Sequence, residues 1–268
     1  MMRNQPEAAA ELLTLAIDVG NSRTKWGVFD GQQPGFALKS HGILLNAELN
    51  VAEVPAAWVG CSRAVISNVA GTAIGERLAA ILQPLSMAIH NLVPAAQTCG
   101  VKNGYTDPQQ LGGDRWAAAI AAWQHYRAPC IIANAGTALT VDALGIDMET
   151  SQGIFLGGLI VPGFRLMQQS LVDGTARLTE VAGDLRAFPA DTGAAMHSGI
   201  LSAMLGAIQA MMHKLHRREG QLPHCLLSGG DAPLLAEAMA VQPEFAFSPV
   251  IADNLVLQGL LLIERDRT

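Results

Sequence analysis

Charge is scarce in this chain. Of 268 residues only 15% are Asp, Glu, Lys or Arg, and the basic ones are the minority, 17 against 23, for a formal net charge of −6. The densest basic stretch is residues 214–218, so no basic face of the kind that binds nucleic acid is expected. Cysteine is equally thin. Cys61, Cys99, Cys130 and Cys225 stand far apart with no C-x-x-C and no Cys/His metal spacing, which argues against a disulfide framework and for reduced thiols in a cytoplasmic protein. No apolar run reaches the ~18 residues a membrane span needs, and residues 1–11 carry no secretory pattern. There is also no G-x-x-x-x-G-K-[ST], G-x-G-x-x-G, H-E-x-x-H or G-x-S-x-G. Phosphate chemistry here would use neither a Walker loop nor a dinucleotide fingerprint.

What the chain has in quantity is apolar material: half of it is hydrophobic, enough for one large or two modest domains. Residues 12–19 form an apolar run broken by Thr14 and Asp18, and residues 25–30 form a second, bounded by Gly31. Both read as strands, joined by the polar turn Gly20-Asn21-Ser22-Arg23-Thr24. Such a turn exposes backbone N–H groups with no ladder partner. Together with the hydroxyls of Ser22 and Thr24 they form a nest for phosphate oxygens, with Lys25 as counter-charge. Burying a carboxylate is costly unless it is paired or near a metal, so Asp18 is expected to face a cleft and a hydrated Mg²⁺. An ordinary hairpin whose Asp caps the turn explains the local sequence equally well.

The turn Gly31-Gln32-Gln33-Pro34 leads to a third strand at residues 36–39. Then come a strand at 64–69, a helix at 73–83 and a strand at 87–93. Residues 99–114 are irregular, after which 115–127 read as a helix with Asp114 at its N-cap. Residues 130–133, the turn Asn134-Ala135-Gly136-Thr137 and residues 139–144 repeat the opening pattern of strand, small-residue turn and strand. That repetition predicts two similar domains. Beyond it, a strand at 154–161, helices at about 163–173 and 192–213, a strand at 225–227, and helices at 233–240 and 252–264 complete the chain. His213 and His216 sit in a basic helix end and read as solvated. Met204, Met211 and Met212 read as core or dimer packing.

A second polar stretch, from Tyr105 through Pro108 to Leu111-Gly112-Gly113-Asp114-Arg115, places two glycines, a carboxylate and a bidentate donor at a helix start. The helix dipole keeps an Asp there ionised, which suits a carboxylate that orients an attacking hydroxyl or accepts its proton. Capping of the helix alone would also explain it.

Taken together, these motifs resemble a known family. The spacing Asp18-x-Gly20-Asn21-Ser22-x-x-Lys25 resembles the first phosphate motif of the superfamily of acetate and sugar kinases, Hsp70 and actin, and the Asn after the Gly is similar to type III pantothenate kinases. The Gly-x-Asp-Arg stretch resembles that family's second motif, and Asn134 through Thr140 its third. Gly157-Gly158 through Pro162-Gly163, Asp191-Thr192-Gly193, and Ser228-Gly229-Gly230-Asp231-Ala232 follow in family order.

The resemblance implies an α/β fold of two ribonuclease-H-like (actin-like ATPase) domains with a cleft between them. One lobe would span residues 12–122, completed by a C-terminal helix at about 251–268, and the other residues 123–250. It implies ATP-dependent phosphorylation of pantothenate to 4′-phosphopantothenate, the first step of coenzyme A biosynthesis, with Mg²⁺. Asp18, Val19, Gly20, Asn21, Ser22, Arg23, Thr24, Lys25 and Thr137 would bind ATP. Tyr105, Gly112, Gly113, Asp114, Arg115 and Thr192 would bind pantothenate, with Asp114 as proton acceptor. A homodimer is also implied. One residue departs: the family's leading Asp in the third motif is Asn134, so binding of K⁺ or NH₄⁺ is expected to be weak or absent, and no residue is assigned as a metal ligand. Two other functions fit the same resemblance: a regulatory accessory factor in gene expression, and a kinase of this fold for another small substrate.

Overall fold

The computed structural model describes residues 12–31, 35–49, 54–175, 178, 182–243, 245 and 247–267. The expected turn at Gly31 to Pro34 lies mostly outside them. The chain divides into two compact units, Met1–Leu92 with Leu260–Thr268, and Val93–Gly259.

In the first unit, β1 (Leu13–Val19), β2 (Arg23–Asp30) and β3 (Leu38–Leu45) form an antiparallel meander. β4 (Arg63–Asn68) then pairs parallel to β1, and after α1 (Thr72–Leu82) the short β5 (Ala88–Asn91) pairs parallel to β4. The sheet order is β3-β2-β1-β4-β5. Successive side chains on a strand face opposite sides, and the core takes one set: Leu15, Ile17 and Val19 of β1, Trp26 and Val28 of β2, Ala64 and Ile66 of β4. Leu78, Ile81 and Leu82 of α1 cover that face together with Trp58, which meets Trp26 edge to face at 6.0 Å. The alternation therefore turns Asp18 to the opposite face. In register beside it stand Lys25 of β2 and Ser67 of β4.

The second unit opens with β6 (Gln97–Thr98), β7 (Val101–Asn103) and α2 (Gly113–Tyr126). There follow β8 (Cys130–Ala135), β9 (Ala138–Ile146), β10 (Gly153–Pro162), α3 (Phe164–Gly174), α4 (Thr192–Glu219), β11 (His224–Ser228), α5 (Ala232–Ala240) and β12 (Val250–Ile251). The sheet order β12-β11-β8-β9-β10 repeats the first unit strand for strand, with β7 and β6 added beyond β10. The directions match too: β8, β9 and β10 are antiparallel neighbours, while β11 is parallel to β8 and β12 to β11. This duplication gives the two similar domains that the repeated strand-turn-strand pattern predicts, in the ribonuclease-H-like architecture that the family resemblance implies.

One face of the second sheet packs Ile131, Ala133, Leu139 and Val141 against Ile200, Leu201, Met204, Leu205, Ile208 and Met212 of α4. The methionines singled out in the sequence are core. α2 packs on β7, β8, β9 and β10, with Trp116 fully buried and edge-on to Phe155 at 6.4 Å. The final helix, α6 (Leu255–Asp266), ends in the first unit, where Glu264 lies 3.0 Å from His90 Nδ1 and Arg265 donates to the Asp30 carbonyl at 2.9 Å.

Three expectations change. The division between units falls at Leu92/Val93 and not at 122/123, because α2 buries its apolar side chains on the second sheet. Residues 251–259 likewise belong to the second unit, so only the last part of the C-terminal helix completes the first. β3 runs over Leu38–Leu45 and not 36–39: its residues alternate between exposed and half-buried, an edge-strand pattern without an apolar run to mark it. Among the described residues the four cysteines are free thiols, and one helix, α4, is long and apolar enough to cross a membrane, with half of its apolar window buried inside the protein.

Candidate active site

Each unit holds its own set of predicted residues. In the first, β1 and β2 are joined by a four-residue turn closed by the Gly20 N–H donating to the Arg23 carbonyl at 3.0 Å. Asn21, Ser22 and Arg23 are exposed on it, and Gly20 and Lys25 are half-buried. The turn is held from behind by Asn46, which the sequence reading did not single out. Its side-chain amide donates to the carbonyls of Gly20 at 2.7 Å and Asn21 at 3.1 Å, its backbone N–H donates to the Ser22 carbonyl at 3.1 Å, and its side-chain oxygen accepts from Thr24 Oγ1 at 2.9 Å. Asn46 thus occupies three turn carbonyls.

This arrangement bears on two of the expected ligand contacts. The Thr24 hydroxyl is spent on Asn46 and the residue is fully buried, so it braces the turn. Val19 is a fully buried core side chain and could offer a ligand only its backbone.

In the second unit, the β8–β9 turn is tighter, closed by the Gly136 N–H donating to the Ala138 carbonyl at 3.0 Å. Thr137 is exposed at its tip. A Cβ on Gly163 would collide with the Gly136 carbonyl, and one on Gly229, where φ is +94°, would collide with the Ala135 carbonyl. Both glycines are needed for backbone to approach this closely. Asn134 holds the place in β8 that Asp18 holds in β1, one residue ahead of the last strand position, with Thr140 and Ser228 beside it in register. Thr140 Oγ1 is buried and makes no hydrogen bond among the described residues.

The remaining predicted residues of this unit gather at the start of α2, except Thr192, which is exposed at the first position of α4 after its N-cap Asp191. Asp114 is not the N-cap of α2; Gly112 is, and Asp114 lies in the first turn. Its Oδ1 accepts from the Arg115 N–H at 2.8 Å, and a Cβ on Gly112 would stand 2.6 Å from that oxygen, so the glycine makes room for the carboxylate. Burial pushes the Asp114 carboxyl above its ordinary range, opposed by the Arg115 N–H and the Arg115 charge.

Arg115, expected either to fix the substrate or to neutralise developing charge, is buried and hydrogen-bonded within the unit. Its Nε donates to Asp142 Oδ1 at 3.0 Å, its Nη2 also donates to Oδ1, and its Nη1 donates to the Tyr105 hydroxyl at 2.9 Å. Asp142, on β9 and only 2% exposed, is the second functional candidate that the sequence reading missed. A carboxylate in an otherwise apolar strand was the available signal, the same one that drew attention to Asp18.

Among the described residues no group of three His, Cys, Asp or Glu could hold a metal ion by itself. A hydrated Mg²⁺ needs no such group, since it keeps several waters and takes one or two carboxylates plus substrate phosphates.

Comparison with known proteins places the chain in a family. The family model for type III pantothenate kinase matches residues 14–214. The chain is 44% identical over 255 residues to the type III pantothenate kinase of Methylobacillus flagellatus, covering 94% of this chain and 97% of that one. It is 41% identical to that of Nitrosospira multiformis, covering 95% and 92%. Among solved structures it is similar in fold to a Campylobacter jejuni protein described as a Baf family transcriptional activator (TM-score 0.59, 22% identity, covering 94% and 98%). It is also similar in fold to Lmo2764 of Listeria monocytogenes, described as an N-acetylmannosamine kinase (TM-score 0.52, 12% identity, covering 96% and 100%).

Proposed function

The chain belongs to the type III pantothenate kinases, and from that premise we propose that it transfers the terminal phosphoryl group of ATP to the hydroxyl of pantothenate, with Asp114 accepting the hydroxyl proton. The observation that carries the reading is the family match, which spans both phosphate turns and the Asp114-Arg115 helix start.

Phosphoryl transfer asks a protein mainly for positioning and charge stabilisation. The backbone of the exposed turn residues Asn21 and Ser22, the Ser22 hydroxyl and Lys25 would bind ATP phosphates, as would Thr137 on the second turn. Asp18 would hold Mg²⁺ through water; bound there, the ion neutralises charge on the phosphates. Gly112, Gly113, Tyr105 and Thr192 would contact pantothenate. Burial that raises the Asp114 pKa makes its carboxylate a stronger base than an exposed one.

The test is an ADP-release assay over pantothenate, acetate, sugars and no added acceptor, with and without K⁺ and NH₄⁺. Turnover with pantothenate and little stimulation by either cation is expected, since Asn134 and its register neighbours Thr140 and Ser228 offer neutral oxygens. Turnover with another acceptor alone, or none, contradicts the reading.

A cytoplasmic homodimer belongs to the same proposal. Leu166 on α3 is 47% exposed, and α3 has no buried residue, which supports a partner on the outer side of that helix. A gel-filtration mass near the 28.2 kDa of one chain would contradict the dimer.

A further inference from the structure

β10 is irregular in register between Phe155 and Gly157, Gly157 has φ +123°, and Gly158 stands opposite Asp142. A Cβ on Gly158 would collide with Asp142 Oδ1 and lie 2.7 Å from both Arg115 Nη2 and the Val141 carbonyl. Gly158 therefore leaves the space that the Asp142–Arg115 ion pair fills. Around it, Phe155 lies 5.6 Å from the Arg115 guanidinium and edge-on to Tyr105 at 5.7 Å.

The hydrogen bonds in this assembly have a fixed polarity. Arg115 can only donate, so the Tyr105 oxygen accepts from it, and the Tyr105 proton is left to point elsewhere. Asp142 itself is sealed from solvent, whereas Tyr105 is half-buried. The chain from carboxylate to guanidinium to phenol thus ends in a hydrogen-bond donor on the accessible side.

We propose that Asp142 is a positioning residue for the acceptor substrate: through Arg115 it sets Tyr105 as a donor toward a carbonyl or carboxylate oxygen of pantothenate, with Gly158 as the cavity that admits the ion pair. This rests on the functional reading above. The charged groups facing Asp142 among the described residues are Arg115 and Asp114, both on α2. Burial pushes the Asp142 carboxyl up to about 6, with Arg115 opposing the rise. Above that pH the carboxylate holds Arg115. As pH falls through it, Asp142 gains a proton, Arg115 loses its counter-charge and Tyr105 loses its anchor.

The experiment measures KM for pantothenate and for ATP between about pH 5 and 8 in the wild type, Asp142→Asn, Gly158→Ala and Tyr105→Phe, with folding checked by circular dichroism. In the wild type, KM for pantothenate is expected to rise as pH falls through about 6 while KM for ATP stays level. At neutral pH, Asp142→Asn and Gly158→Ala should each raise KM for pantothenate by up to ~10²-fold, the scale of a 1 Å misplacement, and flatten its pH dependence. Asp142→Asn and Tyr105→Phe combined should cost less than the sum of the two. If Asp142→Asn does not fold, Gly158→Ala, whose Cβ would meet Asp142 Oδ1, and Tyr105→Phe decide. A folded Asp142→Asn with unchanged KM for pantothenate, or a wild-type KM independent of pH across that range, overturns the positioning role and leaves the kinase reading standing. Absence of turnover with pantothenate overturns both.

Discussion

Asp114→Asn is expected to lower kcat by about 10²–10⁴-fold, the range of a lost general base, while ATP binding survives. The substitution keeps the size of the side chain and an oxygen to accept the Arg115 N–H that Asp114 Oδ1 accepts at 2.8 Å, so the first turn of α2 should hold its shape. What disappears is the proton acceptor. The nucleotide contacts proposed for Gly20 to Lys25 lie in a different unit of the chain and should not register the change. Steady-state kinetics with a nucleotide titration by calorimetry separates the two effects. A kcat equal to wild type would remove Asp114 from its role.

The second large effect concerns stability. Arg115→Met strands Asp142, 2% exposed, without its counter-charge, and Asp142→Leu strands Arg115, 7% exposed. Removing one partner of a buried ion pair costs about 3–5 kcal/mol, whereas replacing both by apolar residues of similar volume is often neutral or stabilising. Each single variant should therefore lose that much in urea unfolding, and the double variant should recover most of it. Activity should not return with stability, because the Tyr105 hydroxyl loses its donor wherever Arg115 is replaced, and in Asp142→Leu that donor loses its own anchor. Single variants as stable as wild type would mean that the pair contributes nothing to folding; a double variant that regains kcat/KM for pantothenate would mean that it contributes nothing to positioning.

The contrast between Asp18 and Asp142 shows how far the sequence could be read. The apolar strand, small-residue turn and strand at residues 12–30 and again at 130–144 carry the fold, because each hairpin is local and its period-2 alternation is visible in a short window. The register that sets Asn134 where Asp18 stands follows from that repetition. Asp142 interrupts a strand in the same manner as Asp18, but its partner is 27 positions away on a helix, and only the tertiary pairing of α2 with β9 brings the two together. Arg115 could not be recognised as buried for the same reason. Asn46 follows an edge strand whose half-exposed residues lack an apolar pattern, so neither β3 nor the brace at its end announces itself. The boundary at Leu92/Val93 was equally hidden: the alanine-rich face of α2 says that the helix is buried, not which sheet buries it.

The most direct measurement is ³¹P NMR of the wild-type protein given ATP, Mg²⁺ and pantothenate. A phosphomonoester resonance coupled to the methylene protons of the pantothenate hydroxymethyl group, growing in step with ADP, is the expected result. ADP accompanied by inorganic phosphate alone, or no change in the ATP signals, would contradict it.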